Sequence, residues 1–274
     1  MAKKRREQKV PEGFDLHPRL LGEERRRKIL QLVEKNGQVT ITDLARRFAV
    51  SPVTVRTDLD TLSATGSIMR SHGGALRRNE ATQDYPLRVK ATLHHTEKVR
   101  IARAAAELVR PSETIILDSG TTTAEIAVRL KELNTQPLTV ITNALNISME
   151  LVDAIGISVI VIGGLLRPIS YSLVGPQAET SLKELHADRL FLAVDGFDAE
   201  TGPSTPDVLE AQLNSLMVSV ARDVTVVADS SKLGRRSVSR IATFEKINRL
   251  ITDRRAAPEL VESLRNKGLQ VILV

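Results

Sequence analysis

Val39-Thr-Ile-Thr-Asp-Leu-Ala-Arg-Arg-Phe48, then Ala49 and Val50-Ser-Pro-Val-Thr-Val-Arg-Thr-Asp-Leu59, reads as two short helices about a tight turn. In the first, Leu44, Ala45 and Phe48 fall on one face, and Thr42 is the expected N-cap. Ser51 and Pro52 supply an N-cap and an N1 proline to the second helix, which should run to about Thr65, where Gly66 stops it. At about 100° per residue, Val55, Leu59 and Leu62 share its packing face, while Val53, Thr57 and Asp60 lie opposite with Arg56 beside them. This spacing is that of a helix-turn-helix. Ser51, Val53, Thr54, Arg56 and Thr57 then form a face that fits a DNA major groove, where an arginine bridges a guanine edge. Arg46, Arg47 and Arg70 are placed for phosphates. The competing reading is a plain three-helix bundle whose charges are merely solvated.

Working outward, Ile29, Leu30 and Val33 mark a preceding helix that Asn36-Gly37 ends, and residues 67–76 read as a short hairpin, or wing, with Gly73-Gly74 at its end. His72 lies in that wing and either touches phosphate or caps the hairpin. Charge marks the same module. Of 39 Lys+Arg and 33 Asp+Glu, residues 1–80 hold 17 basic and 10 acidic side chains, net +7, whereas residues 81–274 hold 22 and 23, net −1. A basic head on a near-neutral body points to a polyanion-binding module. Residues 1–20, with Lys3, Lys4, Arg5, Arg6 and Lys9 among Pro11, Gly13 and Pro18, read as a flexible basic arm that follows a DNA backbone or is simply solvated.

Residues 21–78 are thus expected to form a winged helix-turn-helix, residues 79–96 a polar linker, and residues 97–274 a larger domain. In that domain near-continuous apolar strands at 114–118, 138–142, 157–163, 188–195, 224–229, 249–252 and 269–274 alternate with amphipathic helices. The pattern indicates an α/β domain with a mostly parallel sheet covered on both faces. Its first strand runs into Asp118-Ser119-Gly120-Thr121-Thr122-Thr123 at the start of a helix. A glycine turn, converging N–H groups and hydroxyls at a helix N-terminus are what a phosphate cradle needs, although the same pattern also serves as a bare N-cap. No P-loop lysine or dinucleotide spacing accompanies it. Other polar groups follow strand ends: Thr142-Asn143, Gly163-Gly164, Asp195-Gly196 and Asp229-Ser-Ser-Lys232. In an open α/β sheet these ends line the ligand crevice, where Lys232 suits a phosphate or sugar oxygen and Asp118 and Asp195 suit sugar hydroxyls.

The two helix segments, closed by Arg70-Ser-His-Gly-Gly-Ala75, resemble the DeoR family of bacterial transcriptional regulators, and the resemblance extends over about residues 22–274. Where that family usually has a second basic residue after Arg56, this chain has Thr57. The resemblance implies a sensor domain like ribose-5-phosphate isomerase and the CoA-transferase-like fold, with a phosphorylated sugar as effector. It carries over to Asp118–Thr123, Thr142-Asn143, Gly163-Gly-Leu-Leu-Arg167, Phe191-Leu-Ala-Val-Asp-Gly196, Asp229-Ser-Ser-Lys232 and Ser204-Thr-Pro-Asp-Val-Leu-Glu-Ala211, which contains Glu210. Arg167 becomes an additional anion contact, and the subgroup implied is that of amino-sugar or galactosamine catabolism.

Several classes are set aside. With no cysteine there is no disulfide framework, thiolate metal site or Cys nucleophile. The longest apolar run, Ile157–Leu166, is far short of a bilayer span, and the N-terminus lacks the apolar segment of a secretory signal, so a cytoplasmic protein is expected. Adjacent His94 and His95 point apart without a third metal ligand at suitable spacing, and read as an exposed helix-entry pair. No Ser/His/Asp arrangement has supporting context, and no cofactor is called for. The leading expectation is a repressor that binds double-stranded operator DNA as a homo-oligomer, dimer or tetramer, modulated by a phosphorylated sugar. The alternative is a sugar-phosphate isomerase or transferase carrying a DNA-binding head.

Overall fold

The computed structural model describes residues 22–36, 38–65, 67–71, 73–76, 84–133 and 136–274. The chain divides into two units, residues 1–78 and 79–274.

In the head, α1 (Gly22–Asn36), α2 (Ile41–Phe48) and α3 (Pro52–Ala64) pack around Ile29, Val33, Leu44, Val55, Leu59, Leu62 and Ile68. A small antiparallel sheet of β1 (Gln38–Thr40), β2 (Met69–Ser71) and β3 (Gly74–Leu76) has the order β1-β3-β2. The sequence reading omitted β1, and with it misplaced the cap of α2. Thr40, extended at the end of β1, is the N-cap: its Oγ1 accepts from the Asp43 N–H at 3.1 Å, so the helix starts at the buried Ile41 rather than beyond Thr42. Gly74 is needed where β3 meets β1, since a Cβ there would lie 2.0 Å from the Val39 carbonyl oxygen. The core also holds a charge, because Asp58 on α3 is buried and takes a 2.5 Å bond from Arg25 and a 3.5 Å contact from Arg26.

The body is built on seven strands: β4 (Thr114–Leu117), β5 (Leu138–Thr142), β6 (Ile157–Val161), β9 (Ala187–Leu192), β12 (Ala221–Val227), β14 (Arg249–Thr252) and β15 (Gln270–Leu273). They form one sheet, all parallel, in the order β15-β14-β12-β9-β4-β5-β6. Helices α5 (His95–Ala106), α6 (Thr121–Glu132) and α7 (Leu145–Leu151) cover one face around Ile115, Leu117, Ile126, Val140 and Phe191. On the other face α8 (Pro176–Lys183), α9 (Val208–Val220) and α10 (Pro258–Asn266) pack around Ile116, Leu190, Leu213, Val226 and Leu250. The alternation of neighbours such as Ile115 and Ile116 between the two cores is the period-2 rule of a strand buried on both sides.

The stretch between β6 and α8, irregular in the sequence reading, is a hairpin of β7 (Leu165–Arg167) and β8 (Ser172–Val174). A second small sheet joins β10 (Gly196–Asp198), β11 (Gly202–Thr205) and β13 (Ser239–Arg240). The expected linker is also different. Residues 84–96 belong to the body, where α4 (Leu87–Thr92) is anchored by the Leu87 N–H bonding to the Ile169 carbonyl at 2.7 Å. From β4 the chain winds outward through β5 and β6, then returns to β9 on the other side of β4 and continues to β12, β14 and β15. The reversal between β4 and β9 makes a crevice at the strands' C-terminal ends.

Candidate functional site

A cavity of about 60 Å³ occupies that crevice. Asp118, Ser119, Gly120, Thr121 and Thr122 enter from the end of β4, Ala193–Asp195 from β9, and Asp229 and Lys232 from beyond β12. Glu210 and Asn214 come from α9; Lys90, His94 and Lys98 come from α4 and the start of α5.

The turn into α6 is set by its own polar atoms. Asp118 Oδ1 accepts from the Gly120 N–H at 3.2 Å and from Thr123 Oγ1 at 2.9 Å, while Oδ2 accepts from the Ala193 N–H at 3.0 Å. Thr123 is fully buried and also bonds the Asp118 and Gly120 carbonyls, so it shapes the turn and does not line the cavity. Among the described residues no side chain caps α6, and the first helical bond is that of Ala124 to Gly120, which leaves the N–H groups of the first turn to the cavity. Burial pushes the Asp118 carboxyl up to about 7, against the bonds from Thr123, Ala193 and Gly120, with a smaller upward push from the Glu210 charge.

Opposite the turn stand cations and carboxylates in contact. Lys90 Nζ lies 2.9 Å from Asp195 and 3.7 Å from Asp84, and Asp195 also accepts from Thr205 Oγ1 at 3.2 Å. Burial works against the Asp195 charge, but Lys90 and Lys232 outweigh it and hold the carboxyl below its ordinary range. Asp229 follows the same logic: burial opposes its charge, and Lys232, His94, a Ser231 bond and Lys98 hold the carboxyl down. Lys98, itself buried, donates to the Leu93 carbonyl at 2.7 Å and to the Lys90 carbonyl. A helix N-terminus facing three lysines, with acceptors alongside, suits a small ligand that is anionic at one end and hydroxylated elsewhere.

Several residues named from the sequence lie elsewhere. Both Thr142 and Asn143 are buried structural groups: Thr142 Oγ1 accepts from the Ala144 N–H at 3.1 Å and shapes the turn after β5, and Asn143 Nδ2 donates to the Leu173 carbonyl at 3.0 Å and ties that turn to the β7–β8 hairpin. Gly163 and Gly164 are exposed and outside the cavity; at Gly164 (φ +141°) a Cβ would lie 2.6 Å from the Val174 carbonyl oxygen. Gly196 is required by close approach, because a Cβ would lie 2.5 Å from the Arg235 carbonyl oxygen. Arg167 also stands outside, held by Asp84, by Asp207 at 3.1 Å and by Glu210 at 3.3 Å, and so clamps carboxylates behind the cavity. His94 is not an exposed entry residue: it precedes α5 in a left-handed conformation (φ 50°) and lines the cavity, whereas exposed His95 lies 3.3 Å from Glu125. Sequence reasoning missed Lys90, Lys98 and Asn214. A signal for Lys98 existed, since it shares the buried face of α5 with Ile101, Ala102 and Ala105. Among the described residues no group of His, Asp and Glu is arranged to hold a metal, and no helix is long and apolar enough to cross a membrane.

In the head, Ser51 Oγ accepts from the Thr54 N–H at 3.0 Å and bonds Thr54 Oγ1 at 2.9 Å, so both form the cap of α3. Val53, Arg56 and Thr57 project from its exposed face, and Arg46 and Arg47 are exposed at the end of α2. Arg70 differs from the expectation: its guanidinium bonds Asp60 at 3.0 Å and the Gly74 carbonyl at 3.0 Å, bracing the wing against α3. His72 lies outside the described residues.

Residues 25–81 match the DeoR-like helix-turn-helix domain, and residues 93–254 match the DeoR C terminal sensor domain. The chain belongs to the DeoR family. The "Putative aga operon transcriptional repressor" of Escherichia coli O157:H7 is 42% identical over 92% of this chain and 93% of its own length. The "Uncharacterized HTH-type transcriptional regulator YulB" of Bacillus subtilis (strain 168) is 35% identical over 93% and 98%. A ribose 5-phosphate isomerase A structure from Methanocaldococcus jannaschii aligns with 50% of this chain and 53% of its own, at 20% identity and a TM-score of 0.36. This DeoR-family chain is therefore a DNA-binding transcriptional regulator with a sensor domain, and the exposed face of α3 and the body cavity are its candidate sites.

Proposed function

We propose that this regulator represses a carbohydrate-catabolism operon in the cytoplasm, holding paired operator half-sites as a homo-oligomer, and that a phosphorylated sugar in the body cavity releases it. The observation that carries this reading is the uncapped N-terminus of α6, Ser119–Thr122, facing Lys90, Lys98 and Lys232 across one cavity. The N–H groups and lysines meet a phosphoryl group, while Asp195, Asp229 and Asn214 supply partners for sugar hydroxyls. Arg56 and Thr57 read base edges in the major groove, and Arg46 and Arg47 meet phosphates. The names of the E. coli and B. subtilis relatives support regulation over catalysis. The effector acts only through a difference in its affinity for the DNA-bound and released forms.

The test combines a melting-temperature screen of the full chain against phosphorylated hexoses, pentoses and amino sugars with operator binding in the presence of each hit. A stabilising sugar phosphate that lowers operator affinity, and is recovered unchanged, is the expected result. No stabilisation by any sugar phosphate or by inorganic phosphate overturns the cavity assignment, and turnover at an enzyme-like rate favours the isomerase or transferase reading.

A further inference from the structure

We infer that the β6 edge of the body is the surface on which two copies of this chain pair. Among the described residues, the exposed large apolar side chains concentrate in one segment: Leu145, Met149 and Val152 along α7, Ile155 in the turn, Ile160 and Val161 on β6, and Leu165 and Leu166 on β7. Leu145, Met149 and Val152 follow a helical i, i+4, i+7 stripe, opposite the buried Ile147 and Leu151. Exposures reach 70% at Met149 and 85% at Ile155. Together these eight residues, distributed over both faces of the sheet edge, present on the order of 400 Å² of apolar surface, comparable with the largest patch on an ordinary soluble monomer, which is often a functional one.

The strand itself points to what that partner is. Among the described residues β6 pairs only with β5, so its outer row of peptide N–H and C=O groups has no neighbour within the sheet. Edge strands are ordinarily blunted by lysines, prolines, bulges or a covering side chain. At the opposite edge a side chain does this: Arg265 donates to the outward-facing Val271 carbonyl of β15 at 3.1 Å. Among the described residues Ile157-Ser-Val-Ile-Val161 has none of these devices, and the whole run from Ala154 to Leu166 carries no charge. A two-fold interface sets a surface against its own copy, so any charge near the axis would meet a like charge. An uncharged edge strand avoids that repulsion and can add its partner's strand antiparallel, extending one seven-stranded sheet into another. The area agrees as well: a standard interface of about 800 Å² a side is roughly 60% apolar and asks for on the order of 480 Å². The choice of a second copy rests on the regulator reading above, in which two heads meet two half-sites; the bare edge does not.

Sedimentation of the full chain across micromolar concentrations tests this, with Ile160→Lys on the strand and Ile155→Lys in the turn. The wild type should sediment with the mass of two chains or a multiple, and each lysine should weaken that association at least tenfold while leaving the melting transition in place. Ile155 makes little contact with the fold at 85% exposure, so its variant decides the matter even where Ile160→Lys does not fold. A monomeric wild type, or variants that keep the wild-type mass throughout, overturns the inference. The mass is measured without DNA or sugar, so failure of operator or effector binding stays separate from failure of the interface.

Discussion

Gly120→Ala tests the cavity at its narrowest point. An added Cβ would lie 2.1 Å from the Ala193 Cβ, 3.1 Å from Thr123 Oγ1 and 3.2 Å from Asp118 Oδ1. The first distance is far inside van der Waals contact, and neither partner is a flexible side-chain end. The turn into α6 must therefore move away from the end of β9, although the Asp118 carboxylate ties the two together through the Ala193 N–H. Overpacking of this kind costs about 1–3 kcal/mol, which lowers the body's melting temperature by roughly 2–12 °C for a domain of this size. Moving the first turn of α6 also displaces the N–H groups that face the cavity, so sugar-phosphate stabilisation should fall with it. The cause is separable from a general loss of structure, because the offending neighbour is one methyl group. Ala193→Gly removes it, at a backbone cost of about 0.5–1 kcal/mol by itself. In the double variant the closest remaining neighbours of the new Cβ are the polar oxygens beyond 3 Å. Urea unfolding of the wild type, both single variants and the double variant should show the double to be more stable than the sum of the singles predicts, by about 1–2 kcal/mol. A Gly120→Ala protein with wild-type stability and sugar-phosphate response would refute the steric argument, as would strict additivity of the two changes.

Three further outcomes follow from the same geometry. Asp118 carries a pKa of about 7 in the native body against 3.8 for an ordinary aspartate, so between those values the native state holds a proton that the unfolded chain releases. Its stabilising contribution is complete below about pH 4 and is lost as pH rises through 7; the stability of wild type minus Asp118→Asn should fall between about pH 4 and 7 and level off above that, and a pH-independent difference would count against it. Arg56→Ala should lose about 1–3 kcal/mol at the operator and little on unrelated DNA, measured by fluorescence anisotropy; equal loss on both would make Arg56 a phosphate contact. Asp58→Ala removes the buried carboxylate that Arg25 and the partly exposed Arg26 contact and should destabilise the head by about 1.5–3 kcal/mol; the head's unfolding transition should move while that of the body stays, and an unchanged head would mean that the pair is not needed.

The helix-turn-helix was legible because its signals are local. Ser51 caps α3, Pro52 opens it, and Val55, Leu59 and Leu62 recur at helical spacing, so the element is written within a dozen residues. The cap of α2 was misread because β1 was not anticipated: its three residues acquire their strand from β3, more than thirty positions away. In the body, the strand-end half of the cavity was legible, since Asp118, Asp195 and Lys232 each follow an apolar run. The other half was not. Lys90 and His94 lie in a polar stretch with little apolar periodicity, and their place depends on Leu87 and Lys90 reaching the Ile169 carbonyl and Asp195 far along the chain. Thr142, Asn143 and Arg167 carry the right chemistry at strand ends, yet their bonds within the protein take them out of the cavity.

The contribution of α4 has a practical consequence for dissecting the protein. The matched sensor domain begins at residue 93, which invites a cut there or at the end of the polar stretch. Such a cut keeps every strand of the seven-stranded sheet but discards Tyr85, Leu87 and Lys90 from the cavity wall and removes the carbonyl of Lys90 from Lys98. Asp195 and Arg167 would each lose a partner as well. A body fragment intended to report faithfully on ligands has to begin ahead of Asp84; one that starts later would measure a half-walled cleft and return false negatives.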